Sequence, residues 1–356
     1  MRRAALCVVT ALLLVTSVLV DRNSTTVTAQ GSRPAGTNIS GKAFRFNKVK
    51  EGVYHAIGTG AMAVIGNSTV IVNDRDVTLV DDHVSPAAAW VLLEEIKSIT
   101  DKPVTTVINT HFHFDHAHGN QIFAPDVQII GHEFTRRALL DNPMANPIFQ
   151  SFYNFKTLEG QIDTLRKRVG DEKDPAARAK LQAQLTSTEN NYASQKELRP
   201  TPPNVTLSTQ MTLFRGDREI QIRFLGRGHT GGDVVVYLPR ERAVITGDLL
   251  TSSTSNMSDS YPLEWATTLE ELKKLDFDTV IPGHGDAYTD RAKIDYFQAY
   301  LRDVWTTIGA LKKQGLAAEE AAKRADLSQH KERFPNPAVP LLGVQRIYAL
   351  LDGTAR

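Results

Sequence analysis

The chain is 356 residues long, with 41 basic and 40 acidic side chains and 41% hydrophobic residues. A chain of this size buries a core and is not disordered as a whole, and its net charge of +1 gives no general pull toward nucleic acid or an anionic membrane. The single cysteine, Cys7, excludes a disulfide framework and a cysteine-based structural zinc site, whereas the ten histidines are unevenly spread.

Arg2 and Arg3 precede an apolar run from Ala4 to Val20, and a polar stretch then ends in Val27-Thr28-Ala29. This reads as a secretory signal over residues 1–29, cleaved after Ala29, which predicts a periplasmic or secreted protein. The rival reading of the run is an uncleaved membrane anchor. Residues 30–43, rich in Gly, Ser, Pro and Thr, read as a linker. Residues 44–356 then form one domain.

Short β-like runs follow at Val53–Ile57, Ala61–Ile65, Thr69–Val72 and Val77–Val80, punctuated by Gly, Asn and Asp as in an antiparallel meander. Pro86–Ile99 has helical spacing, with Trp90, Leu93 and Ile96 on one face. Strands are expected at Val104–Asn109 and Val127–Ile130. Residues 134–200 change character to a helical insertion. Within it, Leu158, Ile162, Leu165 and Val169, then Leu181, Leu185 and Tyr192, predict a hairpin of two helices. Strands resume at Val205–Leu207, Ile220–Phe224, Val234–Tyr237, Ala243–Ile245 and Thr279–Ile281. Helices are expected at Leu269–Leu275 and Ala292–Lys313, the latter opening a helical C-terminal part over 291–356.

His111-Phe112-His113-Phe114-Asp115-His116 places four candidate metal ligands within six residues, directly after an apolar strand. A loop at a strand end can turn such side chains toward one point. Imidazole and carboxylate suit zinc, and also iron or manganese. Three more candidates each follow a β-run with glycine close by: His229 in Gly228-His229-Thr230-Gly231-Gly232-Asp233, Asp248 in Thr246-Gly247-Asp248, and His284 in Pro282-Gly283-His284-Gly285. His83, His118 and His132 read as bystanders, and His55 and His330 carry no signal. Phe112, Phe114, Phe149, Phe152, Tyr153 and Phe155 divide between core and an apolar wall for substrate. Trp265 is expected to pack the loop before the last strand.

These motifs, in this order, resemble the metallo-β-lactamase superfamily over roughly residues 44–290. The resemblance implies an α/β fold, an αββα four-layer sandwich with the helical hairpin inserted. It also implies two metal ions, here two Zn2+. His111, His113 and His229 would hold the first, Asp115, His116 and His284 the second, and Asp248 would bridge them. Asp81 would brace the ligand loop. The chemistry implied is hydrolysis of an amide, lactam, lactone, ester or thioester of a small-molecule substrate by a metal-bridging hydroxide. Asp115 would be the catalytic residue that orients it.

Departures narrow the reading. Asp248 stands where one β-lactamase subclass has cysteine, and where the all-histidine subclass resembles serine. Gly231 replaces a frequent proline. A bridging aspartate looks more like the glyoxalase-II, lactonase and ribonuclease-Z branches, and no basic stripe suits RNA. The alternatives are a β-lactamase proper of the all-histidine type and an iron-dependent oxidoreductase resembling persulfide dioxygenase. The hairpin is expected to cap the cleft together with residues 149–155, or to stand outward as an arm.

Overall fold

Apolar side chains alternate along the central strands, and that alternation builds the layers. The computed structural model describes residues 32–355, so the apolar run and the expected cleavage point lie outside the described residues. In β3 (Ser68–Val72), β4 (Val77–Val80), β5 (Val104–Ile108) and β6 (Gln128–His132), Val70, Leu79, Val107 and Ile129 face one side. Their neighbours Ile71, Val80, Ile108 and Ile130 face the other. In β10 (Val234–Leu238), β11 (Ala243–Gly247) and β12 (Thr279–Pro282), Val234, Val236, Ile245 and Ile281 point toward that same inner layer. Val235, Val244 and Val280 point away from it. Each such burial stabilises by roughly 1.5–3 kcal/mol.

Seven strands form the first sheet in chain order: β1 (Phe44–Lys50), β2 (Val53–Gly58), β3, β4, β5, β6 and β7 (Val205–Leu207). The first four are antiparallel, and β5, β6 and β7 add in parallel. The second sheet runs β12, β11, β10, β9 (Arg218–Phe224), β8 (Gln210–Arg215), antiparallel except for β11 with β12. Helix α1 (Pro86–Ile96) covers the outer face of the first sheet. Helices α7 (Pro262–Lys273), α8 (Ala292–Lys313), α9 (Ala318–Arg324) and α10 (Leu341–Leu351) cover the second. The architecture is the expected αββα sandwich. Far from the strand ends that carry the histidines, buried Arg218 ties the sheets together. It pairs with Glu241 at 3.0 Å and donates to the carbonyls of Val72 at 2.6 Å and Glu51 at 2.9 Å.

Four expectations are corrected. Residues 61–65 are loop, not strand, because β2 is already paired on both edges, by β1 and β3. Helix α1 stops at Ile96 rather than at residue 99, after starting from a Ser85 cap that accepts from the Ala88 amide at 3.2 Å. Strands β1 and β8 were not expected. In β8, exposed Gln210, Thr212 and Phe214 alternate with half-buried residues, so no apolar run marks it. The described part of the expected linker, residues 32–43, is packed: Ala43 is buried and its amide donates to the buried carboxylate of Glu95 at 2.8 Å.

The insertion contains α3 (Glu133–Leu140), α4 (Pro147–Tyr153), α5 (Phe155–Asp171) and α6 (Pro175–Lys196). Leu158 and Ile162 of α5 and Leu181 and Leu185 of α6 are buried, on the spacing read from the sequence. The root of α6 joins α1: the Ser194 hydroxyl accepts from the Ala87 amide at 3.1 Å, and Gln195 donates to the Val84 carbonyl at 3.2 Å. Among the described residues no helix is long and apolar enough to cross a membrane.

Candidate metal centre

Every candidate ligand lies just beyond the carboxyl end of a strand, the edge where open α/β sheets present their loops. β5 leads into His111 and the short helix α2 (Phe114–Ala117), which carries Asp115 and His116. His229 lies between β9 and β10, Asp248 follows β11 directly, and His284 follows β12. The sheets are stitched at this edge: the Val234 amide donates to the Thr110 carbonyl at 2.8 Å, and the Asn67 amide to Gly283 at 2.7 Å. Gly283 permits the close approach there. A Cβ on it would lie 2.2 Å from Asp248 Oδ1 and 3.0 Å from the His116 ring.

The structure brings all seven residues together. Their ligand atoms fall into three overlapping groups: His111, His113, His229; His111, His116, Asp248; and Asp115, His116, His284. Within each group the atoms lie within 4.8 Å of one another. Asp248 stands between the sets, with Oδ1 3.3 Å from His116 Nε2 and Oδ2 3.4 Å from His229 Nε2 and 3.2 Å from His284 Nε2. Asp115 Oδ2 is 3.2 Å from His284 Nε2. Nitrogen faces nitrogen at His229 Nε2 and His113 Nδ1, 2.9 Å, and at His116 Nε2 and His284 Nε2, 3.4 Å. His111 Nε2 is buried with no hydrogen-bond partner. Lone pairs converging on shared points, one of them orphaned, fit cations and fit no closed hydrogen-bond network.

Protons compete for this centre. Burial alone would discharge His284, but Asp248 and Asp115 outweigh it and lift its pKa to about 10. His116, between Asp115, Asp248 and Asp81, is likewise held well above its ordinary value. A histidine whose pKa rises on folding contributes stability that is full below pH 6.5 and lost as pH climbs through the folded value. The metal-free protein is therefore expected to lose on the order of a few kcal/mol between pH 6.5 and about 10. Solvent reaching His284, 27% exposed, screens part of this. Zinc affinity should rise over the same window, because the ions displace those protons. Urea melts and zinc titrations across that range check both, and a flat stability profile in metal-free protein would contradict the assignment.

The supporting residues are as specific. Asp81 adopts φ 60° at the end of β4, and Oδ1 accepts from the Thr110 amide at 2.7 Å. Its Oδ2 accepts from the Thr110 hydroxyl at 2.8 Å and lies 2.8 Å from His116 Nδ1. This is the bracing expected of it. Asp233 holds the His229 loop, accepting from the Thr230 amide and hydroxyl, both at 2.8 Å. Gly231 lets Phe134 approach the His229 loop, since a Cβ there would lie 2.6 Å from the Phe134 ring. Trp265, on α7, backs His229 with ring centroids 5.4 Å apart and donates to the Leu249 carbonyl at 3.1 Å. The sequence reading missed Asp259, whose Oδ2 lies 3.0 Å from His113 Nε2.

The remaining histidines stand apart from the cluster. His83 is buried against Phe44 and 2.9 Å from the Ser68 hydroxyl, with its pKa pushed down to about 3 by burial. His132 caps α3, its Nδ1 accepting from the Phe134 amide at 3.1 Å. His118 is fully buried beside Phe149 rather than solvated. His55 is buried against the Pro282 carbonyl, and His330 bonds Asp303.

A cleft of about 220 Å³ opens over the cluster. One wall is apolar, built by Ile65, Phe114, Ile148 and Phe152; the other is Thr251 and residues 253–256. Of the expected aromatic wall, only Phe114 and Phe152 line the cleft. Phe149 and Tyr153 are core, Phe155 packs on Tyr192, and Phe112 packs near Phe134. The hairpin α5–α6 contributes no lining residue; the insertion reaches the cleft through α4 instead.

Residues 61–284, more than half of the chain, match the family model described as Metallo-beta-lactamase superfamily. The chain belongs to the metallo-beta-lactamase superfamily. It is 24% identical to the linear primary-alkylsulfatase of Pseudomonas sp. (strain ATCC 19151), over 71% of this chain and 48% of that one. It is also 24% identical to the metallo-beta-lactamase type 2 of Bacillus cereus, over 63% of this chain and 68% of that one. Two solved structures share the fold. The sec-alkylsulfatase Pisa1 from Pseudomonas sp. has a TM-score of 0.62 at 17% identity, covering 86% of this chain and 50% of its own. The DIM-1 metallo-beta-lactamase has a TM-score of 0.51 at 18% identity, covering 75% of this chain and 100% of its own. The chain spans about half the length of the alkylsulfatases it matches. Its His/Asp clusters are grouped as a metal-binding member of that superfamily requires.

Proposed function

We propose that this protein is an exported dinuclear zinc hydrolase that cleaves an uncharged acyl substrate: an ester, lactone, thioester or amide. The observation that carries the reading is Asp248, whose two oxygens face different histidines between two sets of three ligands. His111, His113 and His229 would hold the first ion and Asp115, His116 and His284 the second, with Asp248 available to both. A donor set of imidazole and carboxylate suits zinc, with iron or manganese as the competing ions. When bound, the ions supply Lewis acidity, lowering the pKa of water and polarising a scissile carbonyl.

The chain supplies the rest. Asp115 lines the cleft floor, and its Oδ2 is placed to take a proton from attacking water and return it to the leaving group. Ile65, Ile148 and Phe152 seat an apolar acyl group and exclude water from it. Among the described residues that line the cleft there is no lysine or arginine to compensate an anionic substrate. That supports acyl esters over sulfate esters, the substrate class in the names of the alkylsulfatase relatives.

Natively purified protein is expected to carry two zinc equivalents, and to turn over a lactone or thioester faster than nitrocefin or an alkyl sulfate. One iron and no zinc by elemental analysis would sink the zinc reading, and hydrolysis of the alkyl sulfate alone would sink the acyl one. Export rests on the charged start and apolar run of residues 1–29. The exported form should begin near Gln30 by N-terminal sequencing, and an intact Met1 on cytoplasmic material would contradict that.

A further inference from the structure

We propose that Asn146 is a positioning residue that ties the substrate-facing helix α4 to the imidazole of His113, through Asp259. This rests on the reading of His113 as a ligand of the first ion. Asn146 immediately precedes α4, and its one amide serves two partners. Its Oδ1 accepts from the Ile148 amide at 2.8 Å, capping the helix that carries Ile148 and Phe152 into the cleft. Its Nδ2 donates to Asp259 Oδ2 at 3.3 Å, the same oxygen that lies 3.0 Å from His113 Nε2. The Ser258 hydroxyl donates to that oxygen as well, at 3.3 Å.

The geometry orders the centre from behind. A carboxylate against Nε2 keeps the proton on that nitrogen and leaves the Nδ1 lone pair for a cation. His113 Nδ1 is the atom that faces His229 Nε2. Asp259 sits on the loop that follows Asp248, far in sequence from His113, and a loop carboxylate needs its own anchor to hold a ring. Asn146 supplies one from the insertion. An amide is the side chain that can accept with one atom and donate with the other. The α4 wall and the first ligand set are therefore held by one residue, and a movement of either is felt by the other.

The test uses zinc alone as the probe, titrated into metal-free full-length protein against a competing chelator. Asn146→Ser keeps an oxygen for the cap and loses the reach to Asp259, whereas Asn146→Ala loses both. Asp259→Asn is expected to weaken zinc binding about 10- to 100-fold. Asn146→Ser should weaken it about 3- to 10-fold with an unchanged melting temperature, being one bond further removed. Asn146→Ala should share that zinc defect and melt earlier. The double variant Asn146→Ser with Asp259→Asn should bind no more weakly than Asp259→Asn alone, because both act through one link. Wild-type zinc affinity in Asn146→Ser, or losses that multiply in the double variant, would overturn the proposal. His113→Ala separates the two levels: undiminished zinc affinity there refutes the ligand reading and the proposal with it. A clear loss there, with no effect at Asn146, refutes the proposal alone.

Discussion

Asp248→Ala is expected to lower kcat/KM by about three orders of magnitude, or about 4 kcal/mol of transition-state stabilisation. The variant should bind one zinc equivalent instead of two. The size follows from position rather than from residue type. Asp248 is the residue whose oxygens face histidines of both ligand sets, at 3.3 Å toward His116 and 3.4 Å toward His229. Removing it also leaves His116 and His284 facing each other with one counter-charge fewer, which raises the cost of bringing the second ion's ligands together. Elemental analysis and steady-state rates on the same sample check the prediction. Two bound zinc ions together with full activity would show that Asp248 bridges nothing.

Asp81→Ala should destabilise the protein by about 3–5 kcal/mol and weaken zinc binding about tenfold or more. Its carboxylate satisfies the Thr110 amide and hydroxyl and also holds His116, all fully buried. Each buried donor left without an acceptor costs about 1–3 kcal/mol. Asp81→Asn is the gentler variant, since asparagine tolerates the positive φ of 60° at this position. It should recover much of the stability but less of the zinc affinity, because an amide holds the His116 imidazole less strongly than a carboxylate does. Chemical denaturation and zinc titration of both variants measure the two effects. Equal zinc affinity in wild type and Asp81→Ala would remove Asp81 from the centre altogether.

The seven clustered residues were legible because metal chemistry admits few residue types, and each of these lay beside a recognisable strand end. His229, Asp248 and His284 gained their weight from neighbouring glycines, and Gly283 shows why: its missing side chain lets Asp248 and His116 approach. Asp259, Asn146 and Trp265 were not legible as site residues. Each is a single residue on a loop or helix whose partner is remote in sequence, so neither spacing nor composition marks it. The central strands were legible as short apolar runs between turn residues, whereas their arrangement in four layers came only from the family resemblance; the alternation of inner and outer faces is seen in the structure. Strand β8 was not, because only Met211 and Leu213 face the core, both half-buried, and the exposed apolar Phe214 on the other face blurs the alternation. The hairpin was legible as two helices from its buried leucines, but which part of the insertion met the cleft depended on the root of α6 docking against α1.

The ligands are divided between the two sheets. His111, His113, Asp115 and His116 follow β5 of the seven-stranded sheet, whereas His229, Asp248 and His284 hang from the five-stranded one. Neither half of the polypeptide holds a complete ligand set, so an ion is gripped fully only when the halves have mated. Ion binding therefore favours the mated state over any partly opened one, by RT ln(1 + [L]/Kd), which is about 4 kcal/mol at a thousandfold excess over Kd. If the centre binds metal as proposed, the metal-free protein is expected to be cleaved by a protease faster than the metal-loaded protein, so that metal supply would set persistence as well as activity.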